Sequence, residues 1–219
     1  MTSKRSFTKN QKTIVYHGEI TMRQTGEKIL IAALHLFARN GYEAVSVSDI
    51  AAEVGITKGA LYRHYKNKRA IFDSIVARME ALDKERAKEH ELPEGGMDEM
   101  PGAYARTSKE KLLAFTRAQF RYWTEEDFPV CFRRMLTLEQ YRGDEMSALF
   151  QQYLASGPLR YVTDLFTSWK LKDACTLAVE LYAPMFLFYS IYDGMEDKAL
   201  ATRAFDRHLD AFSRHFPTD

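Results

Sequence analysis

At 219 residues, with 46% hydrophobic and 28% charged side chains, the chain is sized and composed for a globular protein, either one medium domain or a small domain fused to a larger one. No apolar run reaches the roughly 18 residues a spanning helix needs; the longest, 177–191, carries Glu180 and Pro184 and reads as a buried helix, so no membrane partner is expected. The net charge of +1 hides an asymmetry: residues 1–70 hold 12 Lys and Arg against 5 Asp and Glu, leaving 19 against 25 for the rest, as in a polyanion-binding end joined to a body of different purpose.

Apolar residues recur at three and four positions throughout, and no alternating runs are joined by Asn-Gly or Asp-Gly turns, so the chain reads as all-α. Residues 1–20 are polar and aperiodic and read as a flexible basic arm; Lys4, Arg5, Lys9 and Lys12 precede no apolar core, which excludes a secretory signal. Cys131 and Cys175 are too few for a disulfide framework, which fits a reducing cytoplasm. A helix over 22–40 follows, with Thr21 and Gln24 as a capping box, Ile29, Ala33, Leu36 and Phe37 facing inward, and Gly41 as its stop. Ser46 and Asp49 open a short helix ending near Gly55, Thr57 caps another running to about Tyr65, and Asn67 caps a longer one to about Glu91.

Pro93, Gly95, Gly96, Pro101 and Gly102 make 92–102 a loop. Beyond it, helices are expected over 107–125 (Thr107 and Glu110 as capping box), 127–141 (Asp127 as cap), 144–170, 173–193 and 197–215, with Gly157-Pro158 and Pro184 breaking or kinking the third and fourth. The domains are therefore an arm (1–20), a head (21–68) and a helical body (69–219), with 69–91 linking head to body.

The segment 45–65 carries the chemistry. Val47, Ile50, Ala51 and Val54 share one helical face, Gly55 permits a sharp turn, Ile56 fills the corner, and Leu61 and Tyr65 return to the same core. Thr57, Lys58, Gly59, Tyr62, Arg63 and His64 are left outside, and with Lys66, Lys68 and Arg69 they hold no acidic residue. A solvated face normally mixes both signs; this one suits a DNA major groove.

Gly41-Tyr-Glu-Ala-Val-Ser-Val-Ser-Asp-Ile-Ala and Val54-Gly-Ile-Thr-Lys-Gly-Ala-Leu-Tyr-Arg-His-Tyr-Lys-Asn-Lys resemble, over about 24–75, the signature of the tetracycline-repressor (TetR/AcrR) family. Tyr65 stands where phenylalanine is usual and Asn67 where serine is usual, changes that keep aromatic bulk and capping ability. The resemblance implies an N-terminal three-helix helix-turn-helix head and a larger C-terminal domain for effector binding and dimerisation. Carried over by position, Ser46 and Ser48 would meet the phosphate backbone, Thr57, Lys58 and Gly59 would open the recognition helix, and Tyr62, His64 and Lys68 would contact phosphates. Lys58 and Arg63, long cationic donors, suit guanine edges as base readers.

Residues 104–219 are rich in aromatic and Met side chains, which suit an adaptable apolar pocket as well as a bundle core. Phe120, Trp123, Phe128, Met135, Trp169, Met185 and Tyr189 are the candidate lining, and the scarcity of charges within the apolar stretches favours a neutral or amphipathic effector. Leu177, Leu181, Phe188, Ile191, Phe205, Leu209 and Phe212 make the last two helices apolar on more than one side, and the resemblance implies that these pair with their copies in a homodimer.

The six histidines form no metal spacing with either cysteine, and no nucleophile elbow, phosphate-cradling loop or dinucleotide fingerprint occurs, so neither metal, cofactor nor enzyme activity is expected. The expected function is a ligand-responsive transcription regulator, a repressor binding a palindromic double-stranded DNA operator and released by a small hydrophobic or aromatic effector. Two alternatives stay open: an effector-independent architectural or constitutive DNA-binding protein, and a ligand-binding module with a vestigial helix-turn-helix.

Overall fold

The computed structural model describes residues 7–93 and 98–216, with side chains from Met22 onward, His215 excepted. Helices account for the described secondary structure, in the order α1 (Phe7–Asn40), α2 (Val47–Val54), α3 (Lys58–Leu61), α4 (Lys68–Glu89), α5 (Pro101–Arg106), α6 (Lys109–Glu125), α7 (Asp127–Glu139), α8 (Asp144–Leu154), α9 (Ser156–Ser168), α10 (Ala174–Gly194) and α11 (Lys198–Phe212), closed by a 3₁₀ turn over Ser213–His215. The chain divides into two compact units, Met1–Arg78 and Met79–Asp219, so the boundary falls within α4.

The head is a small, filled core. Ile29, Ala33, Leu34 and Phe37 of α1, Ile50 of α2, Leu61 of α3 and Ile71, Phe72 and Ile75 of α4 are fully or almost fully buried, and Phe37, Tyr42 and Phe72 meet edge-on in series at 5.1 Å spacings. Gly41 stops α1 in the left-handed conformation (φ 84°), its N–H donating to the Phe37 carbonyl. The helix begins at Phe7, inside the segment expected to be an arm, and passes through Thr21, which therefore caps nothing. No proline interrupts 7–21, so a continuing helix needs no apolar stripe of its own. Residues 1–6 of the expected arm lie outside the described residues.

In the body, α6 packs on α7, α10 and α11, α8 on α7 and α9, and α10 on α9 and α11. Phe120 of α6 stacks on Phe205 of α11 at 4.3 Å, and Phe166, Trp169, Phe212 and Phe216 form a second aromatic cluster. Arg117 bridges Asp206 at 3.4 Å and also Asp210, while Arg121 bonds Asp206 at 3.2 Å, joining α6 to α11. Arg133 and Arg134 of α7 both hold Asp193 near the end of α10; burial opposes that carboxylate's charge, but the two arginines outweigh it and keep its pKa low.

In the body, the boundaries at α5 and at the start of α6 differ from expectation. α5 lies where a loop was read, because Pro101 sits at the first helical position, where its missing N–H costs no bond. Ser108, not Thr107, caps α6: its Oγ accepts from the Lys111 amide, while Thr107 turns its hydroxyl to the Ala103 carbonyl. The break expected at Gly157-Pro158 in the 144–170 helix is present two residues earlier, at Ala155, and a Cβ at Gly157 would stand 2.0 Å from the Gln152 carbonyl oxygen, so the close approach at this joint requires glycine.

α10 runs unbroken through Pro184. Proline there supplies no amide to the Glu180 carbonyl, and the His208 ring from α11 takes that acceptor instead. By length and composition alone α10 would pass for a membrane span. Ala178, Leu181, Met185 and Tyr189 nonetheless pack inside the body.

Candidate functional site

Among the described residues, each unit holds one place that carries the chemistry expected of it. In the head, Ser46 caps α2 with a complete box: its Oγ accepts from the Asp49 amide at 3.2 Å, and the Asp49 carboxylate accepts from the Ser46 amide at 2.8 Å. The backbone hydrogen bond from Ser46 holds the Asp49 carboxyl below the usual range. Gly55 ends α2 in the left-handed region (φ 73°), Ile56 N–H bonds back to the Ala51 carbonyl, and Thr57 at once caps α3 through the Ala60 amide at 3.1 Å. These bonds fix the angle between α2 and α3 within very few residues.

α3 itself is shorter than expected. Regular α-helix ends at Leu61, and the chain reaches Tyr65 through tighter turns, Arg63 N–H to Ala60 O and His64 N–H to Leu61 O. Thr57, Lys58, Gly59, Tyr62 and Arg63 are exposed, as are Ser46 and Ser48. The Lys58 ammonium stands 5.9 Å above the Tyr62 ring. Tyr65 turns inward, and its hydroxyl donates to the Gly26 carbonyl at 3.3 Å. His64 is half-buried.

Lys68, read as a phosphate contact, has a second occupation. Its ammonium donates to the Tyr42 carbonyl at 2.8 Å and the Glu43 carbonyl at 3.4 Å, and lies 4.2 Å over the Tyr42 ring. It ties α4 to the turn after α1, and nothing in sequence spacing separates this tie from a phosphate anchor.

The body holds a cavity of about 290 Å³. Of the seven expected lining residues, Trp123, Met185 and Tyr189 border it; Phe120, Phe128, Met135 and Trp169 do not. Phe120 and Trp169 are consumed by the aromatic stacks, and Phe128 and Met135 are buried in the core. The rest of the wall includes Leu112, Phe115, Tyr153, Tyr161, Leu181 and Tyr182, with Asp83, Arg86 and Ala87 from α4. Burial pushes the Asp83 carboxyl up to about 7, although Arg86 works against it. Asp83 and Arg86 were missed by sequence, because one charged pair three apart on a helix rich in both signs carries no mark of facing a cavity.

Leu181, Phe205, Leu209 and Phe212, expected at a dimer interface, are buried inside the body, with relative exposures of 3% or less. Of that set Leu177, Phe188 and Ile191 remain partly accessible. The exposed apolar row on α10 is instead Val179, Phe186 and Leu187, joined by Leu200 of α11.

A helix-turn-helix on a compact helical core, followed by a helical body that holds a half-open amphipathic cavity, defines a class of DNA-binding regulators. The signature of bacterial regulatory proteins of the tetR family matches residues 29–75. The chain is 30% identical over 164 residues to the HTH-type transcriptional repressor KstR2 of Rhodococcus jostii, covering 72% of this chain and 79% of that protein. It belongs to the tetR family. It is 42% identical over 50 residues to the uncharacterized HTH-type regulator YerO of Bacillus subtilis, covering 23% of this chain and 17% of that one. The chain thus spans well under a third of the length of the first relatives it matches. SmeT, a repressor from Stenotrophomonas maltophilia solved in complex with triclosan, shares the fold over 90% of this chain and 93% of its own, with a TM-score of 0.60 and 19% identity.

Proposed function

We propose that this protein is a ligand-responsive repressor that binds a palindromic DNA operator as a homodimer and is released by a small, largely apolar effector held in the body cavity. Lys58 and Arg63 read base edges, while Ser46, Ser48, Thr57, Gly59, Tyr62 and His64 position the head on the backbone. Lys68 adds its charge to that surface while holding the Tyr42 turn.

The observation that carries the reading is α4. This one continuous helix starts in the head with Lys68 and ends in the body, where Asp83, Arg86 and Ala87 line the cavity. A guest that shifts the second half of α4 changes the spacing of the two recognition helices in the dimer. Coupling of this kind is typically worth about 1–3 kcal/mol. The cavity also favours an effector-responsive protein over the constitutive DNA-binding alternative, for which a filled body would suffice.

Dimerisation is assigned to the outer face of α10 with Val179, Phe186 and Leu187, together with Leu200. An isologous pairing of this row would bury it on both subunits. Sedimentation of Leu187→Glu should show a monomer where the unaltered chain is a dimer; a dimer of unchanged stability would remove α10 from the interface.

The deciding experiment selects bound sequences from random duplex DNA with the full-length chain. A palindromic site is expected, its half-sites one helical turn or a multiple of it apart, roughly 34–36 Å per turn. Uniform, salt-insensitive binding to every duplex would instead mean a vestigial helix-turn-helix.

A further inference from the structure

The cavity walls explain an apolar guest but not the polar atoms among them. Arg86 Nε is bonded to Gln119 Oε1 at 3.1 Å and its guanidinium lies 4.0 Å from the Tyr122 ring centroid, yet Nη2 is buried with no hydrogen-bond partner. The hydroxyl of Tyr153, a residue only 7% exposed, is likewise buried and unpartnered, as is that of Tyr161. All three residues line the cavity.

Buried donors without acceptors carry a desolvation penalty that a hydrocarbon guest would leave standing. Asp83 and Arg86 stand one turn apart where α4 forms one end of the cavity wall, and Tyr153, also in the wall, acts electrostatically with that same Asp83. Asp83 is a poor counter-charge for Arg86 near neutrality, because burial holds much of it protonated. What this end offers is a guanidinium and a phenol, both donors, beside a carboxyl that can itself donate. An acceptor with two oxygens and a negative charge satisfies that set best.

We propose that the cavity takes an amphipathic organic acid, its carboxylate held by Arg86 Nη2 and the Tyr153 hydroxyl, and its apolar part lying against Leu112, Phe115, Trp123, Leu181 and Met185. The inference rests on the reading above that this cavity is the effector site, and it names the chemistry of the effector. It narrows the expectation of a neutral or amphipathic effector, which considered the apolar stretches of the body and not α4, the helix that supplies Asp83 and Arg86.

The test titrates the full-length protein by calorimetry with octanoate, octanamide and 1-octanol, which share a chain and differ at the head. Octanoate should bind at least about tenfold more tightly than either neutral analogue. Arg86→Met should weaken octanoate by about tenfold or more while leaving 1-octanol within about threefold. Tyr153→Phe should weaken octanoate severalfold without lowering the melting temperature, since its hydroxyl has no partner to lose; this variant decides the matter if Arg86→Met does not fold. Equal affinity for the three probes, parallel loss of all three in Arg86→Met, or no binding of octanoate overturns the proposal. If octanoate binds through Arg86 but leaves operator affinity unchanged, the head-group assignment stands and the effector reading falls. If 1-octanol binds as well as octanoate and releases DNA, the effector reading stands and the head-group assignment falls.

Discussion

Head and body treat their polar side chains in opposite ways. In the head, the Lys68 ammonium finds the Tyr42 and Glu43 carbonyls, the Tyr65 hydroxyl finds the Gly26 carbonyl, and the Ser46, Thr57 and Asn67 side chains each close a helix start. Among the described residues, the buried side-chain atoms without a partner all lie in the body, on Arg86, Tyr122, Tyr153, Tyr161 and His208. A surface that must present donors at fixed spacing to a DNA groove gains from a core with one arrangement. A body that, on the proposed function, admits a guest keeps space and unspent donors, and gives up some stability for them.

The sharpest test of that contrast is packing. Phe37→Ala, in the filled head core, should cost about 3–5 kcal/mol in denaturant unfolding, whereas Phe115→Ala at the cavity wall should cost less than about 2. Equal losses would mean that the body is as tightly packed around the cavity as the head is around Phe37.

Asp83 provides a test through pH. Its carboxyl is raised to about 7 in the folded chain from 3.8, so the unfolded chain ionises first. Stability is therefore lost as pH rises between about 4 and 7, and none of this loss is present below about pH 4. Asp83→Asn removes the ionisable group and should stabilise the protein at pH 8 relative to pH 4, by roughly 1–3 kcal/mol. Unfolding curves that differ by the same amount at both pH values would show that Asp83 is not penalised.

On the head surface, Lys58→Ala should reduce discrimination at one operator position by about 1–3 kcal/mol, read by competition against single-base variants. Lys68→Ala should do something different. It should lower stability by about 1 kcal/mol, because the two carbonyls lose their donor, and weaken binding to specific and non-specific DNA alike with a shallower salt slope. Relaxation at a single base pair would contradict its role as an anchor. Ser46→Ala, which removes one half of the capping box, should cost about 1 kcal/mol of stability, the smallest of these effects.

The head was largely legible in the sequence because its rules are local. Ser46 three residues before Asp49, Gly55 after Val54, Thr57 before Lys58 and Asn67 before Lys68 each specify a cap or a turn within one helical turn of themselves, and all four are observed. The inward residues Ile29, Phe37, Leu61 and Ile71 follow the same short-range periodicity. The length of α3 was not legible, since nothing between Leu61 and Tyr65 marks where regular helix gives way to tighter turns.

The body was legible as helices but not as a site. The sequence by itself determined that residues 104–219 would bury many aromatic rings, because that many large apolar side chains on amphipathic helices must leave water. Which rings face one another was decided by the tertiary structure. Phe120 stacks on Phe205, 85 residues away, and so became core, while Tyr153 and Tyr161 from α8 and α9 line the cavity and have buried hydroxyls without a partner. Leu181, Phe205, Leu209 and Phe212 turned inward, and Val179, Phe186 and Leu187 were left outside. The physical reason is that burial is non-directional and rewards any apolar neighbour equally. Periodicity can say that a face will be covered, and only the packing of distant helices says by what.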